Sequence, residues 1–401
     1  MSVARLEHIA GFNIDRVAAA AGDDPEILRM ENLDTDIPPP EAAMEATRAA
    51  IGEDEANSWL PFTGRGDLKE AVARYIERRG GPHYDGLREI VITSGEGDAM
   101  LDALFCLTDP GDEVILTDPT YAGMLNRVRL VGAVPRLAPL YVTGGEWRLD
   151  LDLLRAAVND RTRLLFISSP SLPTGWVASD EEWEAVASIC RERNLWLLYL
   201  AWFEGILFDG RPVLHPASLA DMRERTVIVS APSLEQRMIA WRVGWVVAPG
   251  ELVNDVSRVQ IYNGLVPSGF AQIGTRVALG LADDDLPAAN AECQRRRDET
   301  LRQLDGLPAV RPAGTWSLLL DVAALGHDCV EVSDRLLEQK VAATPMRGWG
   351  GDVADRHVRF VFSNEPVERL ELLGERVRAA LGEAGPRLTG RPRRQPRRPG
   401  R

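Results

Sequence analysis

Short apolar runs alternate with helical segments along the middle of the chain, and this alternation is the strongest constraint on its fold. Each run has the length of a buried strand, and the runs read EIVIT, DEVILTD, TRLLFIS, NLWLLYL, RTVIVS and RVGWVV. Strands that alternate with helices form mostly parallel sheets with helices on both faces. The sequence therefore predicts an α/β fold.

The character of the sequence changes at about residue 285, where a long charged helical stretch is followed by shorter segments. The 401 residues are enough for two domains with large buried cores. We expect an N-terminal arm and small-domain segment (1–50), a large domain (51–285), a small α/β domain (286–385) and a disordered Arg- and Pro-rich tail (386–401).

The net charge of the chain is −14, although the tail alone carries seven arginines. An acidic body repels nucleic acid, and no apolar run reaches the roughly 18 residues that span a bilayer. The N-terminus lacks the apolar core of a signal peptide. We therefore expect a cytoplasmic protein that binds neither nucleic acid nor a membrane. The histidines show no metal-ligand spacing, so no metal site is expected.

Six motifs, in order, resemble those of the class I/II aminotransferases, which are pyridoxal phosphate (PLP) enzymes of fold type I. They extend over roughly residues 28 to 382 and read ENLDTDIPPPEAAMEA, LPFTGRGDLKEAVARYI, ITSGEGDAMLDALFCLTDPGDEVILTDPTY, SSPSLPTGWV, LAWFEG and HVRFVFS. The resemblance implies a large domain with a mostly parallel, seven-stranded-type sheet flanked by helices, plus a smaller α/β domain. It also implies a homodimer with its sites at the subunit interface.

The stretch SAPSLEQRMIAWRVGW, residues 230–245, resembles the segment that carries the Schiff-base lysine of that family. There the lysine precedes the phosphate-binding arginine by eight residues. With Arg242 as that arginine, the lysine position holds Leu234. The chain has only two lysines, Lys69, expected on the exposed side of a helix, and Lys340, expected in the small domain. Ordinary transamination through a lysine-bound cofactor is therefore not expected, and no catalytic residue is assigned.

Other positions that hold the cofactor in the family are changed as well. The resemblance places Leu200 at the carboxylate that faces the pyridine nitrogen. It places Leu172 and Phe203 at the asparagine and tyrosine that hydrogen-bond the phenolic oxygen. Trp59 takes the place of the tyrosine that a neighbouring subunit extends to the phosphate. Together with Leu234, these replacements favour a pocket repacked with apolar surface.

Some family positions keep their residue type. Arg359 corresponds to the arginine that binds the substrate carboxylate with both arms of its guanidinium. Tyr121 corresponds to the aromatic ring that stacks on the pyridine. The expected substrate-binding residues are Arg359, Tyr121, Trp59, Leu172, Leu200, Phe203, Leu234 and Trp202.

The turn TSGEGDAML presents backbone N–H groups at a helix N-terminus, as phosphate-binding turns do. The expected residues of this vestigial phosphate cup are Gly95, Glu96, Gly97, Arg242 and Ser233. Glu96 and Asp98 place carboxylates where a phosphate would lie, and like charges repel. We therefore expect Glu96 to pair with Arg242 and to fill the space of the phosphate.

Three functions stay open at this stage. The preferred one is a PLP-independent enzyme or binder with no cofactor. It would hold a small carboxylic acid with an apolar body through Arg359, and cyclise or isomerise it in specialised metabolism. The first alternative is a class I/II aminotransferase that uses PLP or pyridoxamine phosphate (PMP) non-covalently. The second is a non-catalytic pseudoenzyme that partners an active aminotransferase.

Overall fold

The computed structural model describes residues 6–9, 11 and 13–382, so the tail predicted to be disordered (386–401) lies outside the described residues. The helices are α1 (Asn13–Ala21), α2 (Glu41–Ala50), α3 (Asp54–Asn57), α4 (Gly66–Arg78), α5 (Gly86–Glu89), α6 (Glu96–Leu107), α7 (Ala122–Leu130), α8 (Leu151–Ala157), α9 (Asp180–Glu192), α10 (Leu252–Asn263), α11 (Gly269–Gln303), α12 (Cys329–Glu338), α13 (Val367–Leu370) and α14 (Leu373–Ala380). The strands are β1 (Leu28–Arg29), β2 (Ile90–Thr93), β3 (Glu113–Asp118), β4 (Val134–Thr143), β5 (Glu146–Leu149), β6 (Thr162–Ser168), β7 (Trp196–Leu200), β8 (Thr226–Ser230), β9 (Gly244–Val247), β10 (Ala309–Val310), β11 (Ser317–Asp321), β12 (Val341–Ala342), β13 (Thr344–Pro345) and β14 (His357–Val361).

The central layer is an eight-stranded sheet with the strand order β2-β9-β8-β7-β6-β3-β4-β5. Its five middle strands, from β8 to β4, run parallel, whereas β9 is antiparallel to both of its neighbours. Every residue of β2, β3, β8 and β9 is buried, as in a sheet covered on both faces. The predicted α/β class with a mostly parallel sheet is confirmed.

The sheet has eight strands where a seven-stranded type was expected, and the edge strand β5 pairs antiparallel with β4. The two strands are joined by Gly144 and Gly145, which both have positive φ angles, 59° and 78°. A two-residue turn with positive φ at both positions is the tight hairpin turn that glycine favours. The dipeptide in TGGEW was therefore the signal for the eighth strand.

Two smaller sheets complete the fold. An antiparallel sheet has the order β10-β11-β14-β13, and β1 pairs with β12 in parallel. The expected domain boundary at residues 285/286 falls inside α11, a 35-residue helix that continues through Pro287. The division into domains stays a prediction. Among the described residues, no helix combines the length and the apolar character needed to cross a bilayer.

Helix α4 shows the amphipathic pattern read from the sequence, but the exposure expected for Lys69 is wrong. The Lys69 residue is 5% exposed, and its Nζ donates to the Leu87 carbonyl oxygen at 2.9 Å and to Thr63 Oγ1 at 3.4 Å. Helix α5 packs on this side of α4 and covers the lysine. The spacing of apolar residues along α4 gives no information about that later segment.

A buried polar cluster lies behind the loop that follows β7. Glu204 is 4% exposed, and its Oε1 accepts a hydrogen bond from Tyr199 Oη at 2.9 Å and lies 3.9 Å from His215 Nε2. Glu235 belongs to the same cluster, with Oε2 3.6 Å from Arg79 Nη2. Burial raises the pKa of Glu204 to about 8, and the negative charge of Glu235 acts in the same direction.

We predict that Glu204→Gln removes a pH-dependent loss of stability. The pKa of Glu204 in the folded protein, about 8, lies above its ordinary value of 4.5, so folding favours the protonated acid. Stability is therefore lost as the pH rises from 4.5 through 8. Between pH 6 and pH 9 the wild type should lose on the order of 3 kcal/mol relative to Glu204→Gln. Urea unfolding at both pH values measures the difference.

The exposed acid Glu181 provides the control for this measurement. The variant Glu181→Gln should follow the wild type at both pH values, because it removes a carboxylate from the surface and leaves the buried cluster unchanged. Parallel pH profiles for Glu204→Gln and the wild type would contradict the prediction.

Candidate active site

The predicted pocket residues follow the C-terminal ends of neighbouring parallel strands. Tyr121 follows β3, Leu172 follows β6, Trp202 and Phe203 follow β7, and Leu234 follows β8. The carboxyl ends of parallel strands meet at one edge of a sheet, where open α/β folds bind their ligands. The fold thus brings these five residues from distant parts of the chain to one edge.

Aromatic rings pack closely at this edge. The ring centroid of Tyr121 lies 5.1 Å from that of Trp202 and 6.2 Å from that of Trp349. Phe203 lies 5.7 Å from Trp202 and 5.6 Å from Trp316. These separations are typical of favourable aromatic pairs. Sequence analysis missed Trp316 and Trp349, which lie outside the quoted motifs and are brought in by the segments next to β11 and β13.

Four positions have an apolar residue where the resemblance implies a polar one, and all four side chains are in the core. Leu172, Leu200 and Leu234 are 2%, 1% and 3% exposed, and Phe203 is fully buried. Hydrocarbon side chains neither donate nor accept hydrogen bonds. These residues therefore supply packing to the site, and none can attach an aldehyde or balance the charge of a pyridine nitrogen.

Arg359, on β14, is completely buried, and part of its guanidinium has no partner. Its Nη2 donates to the Glu31 carbonyl oxygen at 2.5 Å, while Nε and Nη1 have no hydrogen-bond acceptor among the described residues. The Trp349 ring covers the guanidinium with its centroid 4.6 Å from Cζ, and burial lowers the pKa of Arg359 to about 10. Unpaired buried donors are costly, so these two N–H groups are suited to an acceptor such as a carboxylate.

Trp349 also lines a cavity of about 220 Å³, together with Asn13, Ala122 and Arg347. The indole therefore contacts both the cavity and the buried guanidinium of Arg359. Sequence analysis gave no sign of this arrangement.

The expected ion pair in the phosphate cup is present. Glu96, the first residue of α6, has its Oε1 3.6 Å from Arg242 Nη2, and its Oε2 accepts a hydrogen bond from Ser233 Oγ at 3.1 Å. Gly95 precedes the helix with φ at 93°, and a Cβ there would lie only 2.4 Å from Arg242 Nη2. Glycine is therefore required for the guanidinium to approach the helix N-terminus.

Arg127 is a second cation beside the cup, and sequence analysis missed it. Its Nε donates to the Gly97 carbonyl oxygen at 3.0 Å, and its Nη1 donates to the Gly123 carbonyl oxygen at 3.0 Å. Burial raises the pKa of Asp98, while the charges of Arg127 and Arg242 oppose that rise. The cup thus contains two arginines and two carboxylates, so its charges are mixed and not uniformly positive.

One of the proposed contacts, Trp59, lies away from this edge, and so do the amines of the two lysines. Trp59 is 80% exposed and packs edge-to-face on Phe62 at 6.1 Å, so it is not part of the pocket of its own chain. Its predicted place in a neighbouring subunit's site stays a prediction. Lys340 Nζ pairs with Asp24 Oδ2 at 2.6 Å, and Lys69 is bonded to Leu87 and Thr63, so neither amine contacts a pocket residue.

Residues 29–377 match the family described as Aminotransferase class I and II. The chain belongs to this family. The probable N-succinyldiaminopimelate aminotransferase of Mycobacterium tuberculosis is 31% identical over 396 residues, which cover 94% of this chain and 99% of that protein. The solved N-succinyldiaminopimelate aminotransferase from Mycobacterium tuberculosis has a TM-score of 0.88 at 30% identity, covering 95% of this chain and 100% of that one. The aspartate aminotransferase from Thermus thermophilus with maleate has a TM-score of 0.87 at 27% identity, covering 95% and 99%.

These relatives correct two expectations. The PLP-independent enzyme or binder for an apolar carboxylic acid is wrong as the main interpretation, because relatives matched along nearly the whole chain are named aminotransferases. The expectation of no cofactor is wrong for the same reason, since family membership indicates PLP. The comparisons favour the first alternative, an aminotransferase of class I/II, and give no support to a pseudoenzyme.

The residues of this site fit PLP or PMP at some contacts and not at others. Arg242 and Ser233, at the N-terminus of α6, are donors of the kind that binds phosphate. Arg359 offers two unpaired donors for a substrate carboxylate. Leu234 and Leu200 provide neither an amine nor a carboxylate, so the residues do not fit a covalently held cofactor or a charged pyridine ring.

We predict that Arg359 determines the affinity for small carboxylates. The variant Arg359→Lys keeps a cation but loses the two-armed geometry, and Arg359→Ala removes the charge as well. Loss of a buried charged partner costs about 2 kcal/mol or more. The increase in Tm caused by pyruvate should be reduced in Arg359→Lys and absent in Arg359→Ala.

The matched control is Arg356→Ala. Arg356 directly precedes β14, is half-exposed, and pairs with Asp321 at 2.6 Å. Its response to pyruvate should equal that of the wild type. If pyruvate raised the Tm of Arg359→Ala as much as that of the wild type, the carboxylate would bind elsewhere.

Proposed function

We propose that the protein is a class I/II aminotransferase that uses PLP or PMP without a covalent bond to the chain. Its substrate would be a small amino acid or 2-oxo acid whose carboxylate binds Arg359. The observation that carries this proposal is the buried guanidinium of Arg359, which has two N–H groups without a partner inside an aminotransferase fold.

The carboxylate end of the proposed substrate site is supported by charge and geometry. Arg359 is fully buried and its pKa, about 10, leaves it a cation at neutral pH. A related aspartate aminotransferase was solved with maleate, which is a dicarboxylate. The Trp349 ring covers the guanidinium, Tyr121 packs against Trp349, and Trp202 packs against Tyr121. This aromatic surface favours a substrate with an apolar body.

The phosphate end is supported by the cup at the N-terminus of α6. Arg242 and Ser233 would hold the phosphate together with backbone N–H groups of the helix, whose dipole favours an anion. When bound, PLP supplies a ring that withdraws electrons from the substrate's α-carbon. The chain's own contribution is to orient the carboxylate through Arg359 and to exclude water with the surrounding aromatic rings.

The absence of a covalent anchor follows from the two lysines. Lys69 is buried against Leu87 and Thr63, and Lys340 is paired with Asp24, so both side chains are engaged away from the pocket. An amine must reach the aldehyde carbon to attach it. Retention of the cofactor therefore depends on the phosphate and ring contacts alone.

We also propose that the protein works as a cytoplasmic homodimer in which Trp59 reaches the neighbouring subunit's site. Trp59 is 80% exposed, and Tyr262 is 91% exposed, which is unusual for side chains of this size. Large exposed aromatic side chains are common where a second chain binds. Their exposure supports the homodimer that the family resemblance implies.

We predict that Leu234→Lys converts reversible cofactor binding into covalent attachment. With PLP added, the wild type should lose its cofactor absorbance on desalting, and borohydride should add no cofactor mass at residue 234. In Leu234→Lys the amine is placed next to the cup, so borohydride should fix one cofactor at residue 234. Absorbance before and after desalting and peptide mass spectrometry measure both results.

The chain is well suited to this experiment because Lys69 and Lys340 are the only other lysines. Labelling of those two residues should be equal in both proteins and serves as the internal control. A wild type that shows no absorbance change with PLP and no Tm change with PMP at millimolar concentration would contradict the proposed function.

A further inference from the structure

Trp202 packs against Tyr121, the aromatic ring that the family resemblance assigns to stacking on the pyridine. Trp202 lies in the segment between Leu200 and Phe203, the two positions that face the ring in the family, and its ring centroid is 5.1 Å from that of Tyr121. A third ring between two others needs about 3.5 Å of separation on each side, or about 7 Å in total. The pyridine ring therefore cannot enter between Tyr121 and Trp202 as they stand.

Hydrogen bonding does not explain the position of Trp202. The residue is 3% exposed, and its Nε1 has no acceptor in the described part of the chain, although buried indole N–H groups normally find one. Its packing against Tyr121 and Phe203 is what holds it in place. The side chain fills the pocket by shape, at the cost of an unpaired donor.

The phosphate end is filled in the same way. Glu96 uses one carboxylate oxygen to accept from Ser233 Oγ at 3.1 Å and the other to approach Arg242 Nη2 at 3.6 Å. A single carboxylate therefore takes both side-chain donors that would hold the phosphate. Glu96 is an anion, as a phosphate is, and contacts the same two side chains that would hold the phosphate.

We infer that Trp202 and Glu96 form an internal block of the cofactor site and decide which part of the cofactor binds. Trp202 must leave the face of Tyr121 before a pyridine ring enters. Glu96 must release Ser233 and Arg242 before a phosphate enters. This inference rests on the proposed function, because it concerns the same site.

The two halves of the block are separable with ligands that carry one part of the cofactor each. Pyridoxamine carries the pyridine ring without the phosphate group. Inorganic phosphate represents the phosphate group without the ring, and PMP carries both. None of the three carries an aldehyde, so none reacts with Lys69 or Lys340. Isothermal titration calorimetry then gives a Kd for each ligand and each variant.

The expected results differ for the two residues. Trp202→Ala should lower the Kd of pyridoxamine and PMP at least tenfold and leave that of phosphate unchanged. Trp202→Phe, which keeps a ring, should stay within about threefold of the wild type. Glu96→Gln should lower the Kd of phosphate and PMP at least tenfold without affecting pyridoxamine. The double variant should combine both gains for PMP.

The exposed acid Glu181 again supplies the charge control, and Glu181→Gln should bind all three ligands as the wild type does. Thermal unfolding shows whether each variant is folded. Trp202→Val, with a smaller cavity, replaces Trp202→Ala if the alanine variant does not fold.

The inference is overturned if the alanine or valine variant leaves the Kd of pyridoxamine unchanged, or if Glu96→Gln leaves that of phosphate unchanged. A wild type that binds no PMP, beside a double variant that does, supports the block and contradicts the proposed function. A wild type that binds PMP as tightly as the double variant supports the proposed function and overturns the block.

Discussion

The pairing of β6, β7 and β8 in one parallel register determines where the site is. Ser168 pairs with Leu200, and Leu200 pairs with Val229, so the three strands end at nearly the same level. The loops that leave these strands carry Leu172, Trp202 and Leu234 to one edge. A shift of one residue in any of these strands would move each of its side chains to the other face of the sheet and displace its loop from the site.

The sequence was sufficient to predict the sheet and most of the residues at its edge. Long apolar strands in a parallel sheet are recognisable because both of their faces are buried. The Glu96–Arg242 pair was also predicted, since two opposite charges at one helix N-terminus have a strong reason to meet. Both predictions depend on local patterns and on the order of motifs along the chain.

The parts that were missed depend on contacts between distant segments. Trp349 and Arg127 complete the site from outside the motifs, and Lys69 is covered by helix α5, which begins at Gly86 after α4 has ended. No local periodicity contains that information. The predicted function was wrong for a different reason. The replacement of four polar contacts was given more weight than the resemblance along the whole chain. The named relatives support that resemblance.

The engagement of both lysines away from the pocket has a consequence for how the protein behaves in a cell. A covalently attached cofactor stays with its enzyme through purification and dilution, whereas a cofactor held only by contacts is exchanged with its surroundings. The occupied fraction then follows the free cofactor concentration by mass action, and so does the stability gained from binding. Under the proposed function, the active population of the protein would rise and fall with the supply of free cofactor.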